Sequence, residues 1–141
     1  MKIVFAGAIS GEFLVLPGSG NLCGTHLANE PHSVNYVLGG HVAGAGDDLG
    51  IDINFAVHRY TKPGTFAIGA FPAGSAKAPA IASVGREITA RDIKGWASGS
   101  GSVIVDGGAM SGTLDLRLNS SNGLGELDVS GVWVCPQGSL T

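Results

Sequence analysis

Four histidines offer the most versatile chemistry in this chain of 141 residues. His41 and His58 fall in stretches of extended character that can lie on neighbouring strands. A histidine from each of two strands binds zinc when a third ligand converges on them. No His-x-His spacing occurs, and His26 and His32 lie in an irregular stretch, so no metal is expected. Asp47, Asp48, Asp52 and Asn54 gather the hard oxygen ligands that calcium prefers. The run lacks the spacing and final glutamate of an EF-hand and reads as a solvated turn leading into a strand. Ser98-Gly99-Ser100-Gly101-Ser102 has the letters of a nucleophile elbow, but that device needs a strand-to-helix turn. Glu12, Glu87, Glu126 and Asp128 supply carboxylates, yet no spacing selects a glycosidase pair among them. No glycine-rich run opens a helix or carries a Lys-Ser/Thr pair, which excludes a phosphate loop. No catalytic residue and no cofactor is therefore assigned.

Binding chemistry has more to work with. His41, His58, Tyr60, Asp52 and Arg59 are the polar groups that would converge in a small-molecule site within a barrel. Trp96 and Tyr36 are the aromatic side chains that would stack on a sugar ring. Trp133 differs: it shares the phase of Leu127, Val129, Gly131 and Cys135, which turns it inward.

The elements that must position these residues are strands. Lys2–Phe13 alternates with Ile3, Phe5, Gly7, Ile9, Gly11 and Phe13 on one face, and Pro17-Gly18-Ser19-Gly20-Asn21 turns the chain before Cys23. Gly24–Pro31 is irregular. Ser33–Leu38 reads as a strand that continues past Gly39-Gly40, and Gly44–Asp48 is a strong turn signal. Ile51–His58 alternates with Ile51, Ile53, Phe55 and Val57 inward. Pro63-Gly64 supplies the centre of a turn before the strand Phe66–Phe71, and Pro72–Pro79 is a loop. Ile81–Val84 is a short strand, while residues 85–95 are the one place suited to a helical turn. Trp96–Val105 and Met110–Leu118 form a hairpin around Asp106-Gly107-Gly108, and Asn119–Gly125 turns into the last strand, which ends at Cys135. Eight or nine short antiparallel strands, spaced by about ten residues, predict a single all-β domain over residues 1–141, either a β-sandwich or a small β-barrel.

Composition narrows the class. Charged residues make up 13% of the chain and the net charge is −3, so polarity rests on Ser, Thr, Asn and Gly. No basic stripe exists for nucleic acid, no polybasic patch for a membrane surface, and no apolar run long enough for an integral span. The 24 glycines would each cost about 1 kcal/mol in a helix interior, which favours strands and turns. The apolar stretch after Met1-Lys2 is too short for a signal peptide, and any export signal is expected upstream of it. The chain has two cysteines, far apart, which excludes a zinc knuckle or a CxxC centre. A Cys23–Cys135 disulfide would contribute roughly 4–5 kcal/mol by chain entropy and would place the protein outside the cytoplasm.

The Gly-punctuated opening strand Phe5–Phe13, Cys23, Tyr60-Thr61-Lys62-Pro63-Gly64-Thr65-Phe66, Ser111-Gly112-Thr113-Leu114-Asp115-Leu116 and the ending Val129-Ser130-Gly131-Val132-Trp133-Val134-Cys135 together resemble the small Gly/Ser-rich β-domains of exported bacterial proteins and lipoproteins. Asn21-Leu22 before Cys23 departs from a lipobox. The resemblance implies a secreted or surface-exposed sandwich and carries over no activity. The expected role is structural, adhesive or self-assembling, with homo-oligomerisation through lightly charged edge strands. A small-molecule-binding barrel, with or without cofactor-free catalysis, and a glycan-binding module are the alternatives.

Overall fold

The computed structural model describes residues 1–44, 50–69, 78–89, 92–120 and 123–141. Among them are ten strands and no helix: β1 Lys2–Gly7, β2 Gly11–Val15, β3 Leu22–Leu27, β4 Glu30–Val42, β5 Gly50–Val57, β6 Gly64–Ala67, β7 Ala80–Thr89, β8 Asp92–Val105, β9 Ser111–Asn119 and β10 Leu127–Val134. The pairings run antiparallel through β2-β1-β10-β9-β8-β7-β5-β4. Strand β2 then pairs with β4 (Phe13↔Val42, Leu14↔His41, Val15↔Gly40), and the sheet closes into an eight-stranded barrel. Alternation alone fits sandwich and barrel equally; this seam decides for the barrel.

Two long strands carry partners in tandem. One edge of β4 holds β2 over Gly40–Val42 and β3 over Glu30–Val37. One edge of β8 likewise holds β7 over Asp92–Ala97 and β6 over Ser102–Val105. Strands β3 and β6 therefore lie outside the ring. The inward phases expected for Ile51–Val57 and for Leu127–Trp133 both hold, and their side chains are buried. Tyr36, Phe55 and Trp133 meet at the centre of the interior, with ring centroids 4.7–5.1 Å apart. Aliphatic side chains fill the rest together with Trp96 and the stacked pair Phe5 and Phe13, so the lumen is a core.

So narrow a ring needs glycine at inward positions where strands bend. Gly112 lies in register with Val105 and Trp133. A Cβ there would collide with the Ile104 carbonyl and lie 2.9 Å from Trp133 Cε2. Gly131, between Ile3 and Leu114, has φ +138° and faces the Lys2 carbonyl. The abundance of glycine thus reflects curvature as well as turns.

Cys23 and Cys135 are bonded, with Cα atoms 5.9 Å apart although the residues are 112 positions apart in sequence. The tail reinforces this link: Cys23 N–H donates to the Leu140 carbonyl, and Leu140 N–H donates to Asn21.

Four sequence expectations need correction. Lys2–Phe13 is two strands, because Gly7 at φ +99° and Gly11 at φ +141° fold the chain back between them. The irregular stretch 24–31 contains most of β3 and the start of β4, whose pairing shifts register twice and so hides the alternation. The described part of residues 85–95 is strand, extending β7 and β8; pairing of Gly85 with Gly95 and Arg86 with Lys94 overrides the local helical pattern. Phe66–Phe71 is strand only as far as Ala67, with Ile68 bridging to Ala80; Phe71 lies outside the described residues. Most of the turn at 44–48 and of the loop at 72–79 also lies outside them.

Candidate functional site

The candidate residues separate into three places. His58 and Tyr60 follow the end of β5, at the barrel end bearing the disulfide. The tight β3–β4 turn, with Asn29 at φ +61°, brings Glu30 over this end. Ser33 Oγ accepts from Leu27 N–H and donates to the Glu30 carbonyl, each at 2.7 Å, and fixes the turn. Glu30 Oε1 lies 2.7 Å from His58 Nδ1, so Nδ1–H donates to the carboxylate and sets the ring orientation. His58 N–H donates to the Pro79 carbonyl, and Tyr60 N–H to that of His32. Tyr60 packs its ring on Phe66 at 5.9 Å.

A carboxylate-oriented histidine is the base half of a catalytic triad. Here His58 is 5% exposed, and its Nε2 is sealed from solvent without a hydrogen-bond partner among the described residues. An Nε2 so enclosed reaches no substrate. The pair latches the β3–β4 turn to β5.

His41 and Asp52 lie on the outer surface, toward the other barrel end. Val34 pairs with Val57 at one end of β4, and His41 lies seven residues further along, about 23 Å away at strand rise. A His41–His58 metal pair therefore does not form. Among the described residues no three His, Cys, Asp or Glu side chains converge as ligands, and Asp47 and Asp48 lie outside them.

Asp52 pairs with Gly39 and Gly85, and His41 stands diagonally across from it. Asp52 edges a shallow groove of about 230 Å³ with Leu16, Pro17 and Gly39. Buried Asn21 builds the floor: its Nδ2 donates to the Leu16 and Gly18 carbonyls, and its Oδ1 accepts from Gly39 N–H. Partial burial raises the Asp52 carboxyl above its ordinary value of 3.8. The folded state then holds this proton more tightly than the unfolded state, so ionising Asp52 costs stability as pH rises through the folded value. Asp52→Asn is expected to raise the urea midpoint at pH 7, with the gain shrinking as pH falls through the folded value and gone below 3.8; an unchanged midpoint at pH 7 contradicts it.

Neither proposed stacking aromatic presents a face to solvent. Trp96 is 3% exposed and donates Nε1–H to the Gly125 carbonyl at 3.0 Å. Tyr36 is fully buried, donates to the Ala109 carbonyl at 2.7 Å, and has its hydroxyl pushed up to about 12, chiefly by burial and then by Tyr60. Both point inward because their register partners, Val84 for Trp96 and Phe55 for Tyr36, are core residues.

Sequence reasoning missed the outer face of β2-β1-β10. Val4 on β1, Leu14 and Leu16 on and just beyond β2, and Val132 and Val134 on β10 are all exposed there, Leu14 and Val132 at 52% each. The signal was present: Val132 and Val134 alternate with Trp133 and Gly131, which makes the last strand apolar on both faces. Comparison with protein-family models, curated proteins and solved structures finds no match to this chain.

Proposed function

We propose that this chain is a non-catalytic, disulfide-closed barrel module that works outside the cytoplasm and self-associates in a structural or adhesive role. The observation that carries the reading is the exposed apolar face of β2-β1-β10 on a barrel whose interior is already full. Water-exposed apolar surface of this kind is stabilised by covering it. The disulfide supports an oxidising compartment, in keeping with the resemblance to exported bacterial β-domains.

The contact surface differs from the one expected of edge strands. Ring closure leaves β3 and β6 outside, the first with two register shifts and the second four residues long. Such edges give little backbone for strand addition. The sealed His58 and the inward Trp96 and Tyr36 give the small-molecule and glycan alternatives no comparable support.

Sedimentation velocity across a hundredfold concentration range tests the reading. The expected result is reversible, concentration-dependent association in the micromolar range. A monomer at every concentration up to about a millimolar overturns it.

A further inference from the structure

We infer that the partner covering this face is a second copy of the chain, seated about a two-fold axis that brings Lys2 of each copy onto Glu12 of the other. The inference rests on the self-association reading above and deepens it.

Four outward side chains form the β1–β2 part of the face. Ile3 pairs with Phe13 and Val4 with Glu12, and both Ile3 and Phe13 are buried, so their neighbours point out. One register step from Ile3↔Phe13 sets Lys2 beside Leu14. Lys2 and Leu14 thus make one row and Val4 and Glu12 the next, with the charges on one diagonal and the apolar pair on the other. Val132, in register with Lys2, extends the apolar surface onto β10.

Among the described residues, Lys2 and Glu12 make no ion pair or side-chain hydrogen bond, whereas Arg117 and Asp128 on the neighbouring strands pair at 3.1 Å. A lone cation and a lone anion beside exposed Val4 and Leu14 are what a self-complementary contact requires.

Geometry selects the axis. Two faces that pack against each other by two-fold symmetry have the axis in the contact plane. An axis along the strands, between β1 and β2, sets Lys2 on Leu14 and Val4 on Glu12. An axis across the strands sets Lys2 on Val4 and Glu12 on Leu14. Each buries both charges against apolar groups. The Lys2–Glu12 diagonal as axis stacks like charges on each other. The Val4–Leu14 diagonal packs each apolar side chain on its own copy and forms the Lys2–Glu12 pair twice. With strands ~4.8 Å apart and a two-residue repeat of ~6.8 Å, the strands of the two copies then cross at roughly 70°. A steep crossing suits two convex barrels.

Sedimentation equilibrium on the wild-type chain, Lys2→Glu, Glu12→Lys and the double exchange tests the arrangement. Each single exchange sets like charges together twice and is expected to weaken the dimer at least about tenfold; the double exchange restores it to within about threefold. Both positions are exposed on strands, and matching thermal melts establish that each variant folds. If the wild type dimerises but the single exchanges leave Kd unchanged, or the double exchange does not restore it, the two-fold contact is wrong while self-association stands. If the wild type is monomeric, the underlying reading fails and the contact with it.

Discussion

A chain carrying Cys23→Ser together with Cys135→Ser is expected to unfold at a free energy about 5 kcal/mol lower than the parent, the chain-entropy value for a loop of this length. For a domain of this size that is a fall in melting temperature of roughly 10–20 °C. The loop is long because the bonded residues are 112 apart in sequence, and Cα atoms 5.9 Å apart let them join without rearranging the backbone. The loss begins locally. Strand β3 hangs on β4 through a ladder broken by two register shifts, and the Leu140 backbone bonds lie beside the same link. Amide exchange in β3 should accelerate before exchange in the ring strands. Calorimetry and hydrogen exchange check both parts. A double variant as stable as the parent would show that the barrel makes no use of the link.

The second large effect concerns one methyl group. Gly112→Ala is expected to cost about 2–4 kcal/mol, because the new Cβ meets the Ile104 carbonyl and Trp133 Cε2 at once. One obstacle is backbone and the other a fully buried indole, so neither yields cheaply. Gly107→Ala is the internal comparison. It lies in the β8–β9 turn with no atom within 4 Å of the built Cβ, and its change should stay within about 0.5 kcal/mol. Equal urea midpoints for the two variants would refute the account of inward glycines as the barrel's bending points.

How much of this could be read from the sequence depends on which contacts each residue answers to. The buried phase of Ile51–Val57 and of Leu127–Trp133 was legible, because one-sided burial imposes a period of two that nothing else produces. The pairing of Cys23 with Cys135 was legible from their number and from nothing finer. The split of Lys2–Phe13 was hidden because Gly7 and Gly11 lie in phase with the apolar face, so the pattern runs unbroken across a reversal. Residues 85–95 misled because charge spacing along the chain carries no trace of the backbone register that pairs Gly85 with Gly95 and Arg86 with Lys94.

The site was less legible still. His41, His58, Asp52 and Trp96 were grouped by chemistry, yet β4 carries His41 and the His58 end apart, and Trp96 faces the core. Glu30, which orients His58, sat in a stretch that read as irregular. Lys2, Val4, Glu12 and Leu14 form a cluster only once β2 folds back on β1, a reversal the alternation conceals.

The seam at which β2 meets β4 holds three register pairs, against eight between β9 and β10. With the equally short β1–β2 ladder, it marks β2 as the natural place for the ring to tear. Torn there, the barrel becomes an open sheet with two bare edges, the form most liable to aggregate. The disulfide lies across that line: Cys23 is carried on β3 beside β4, and Cys135 follows β10 on the far side of β1 and β2. If the β1–β2 hairpin peels away, the two banks of the tear stay covalently clasped. The gap remains narrow, and the hairpin finds its place waiting when it returns.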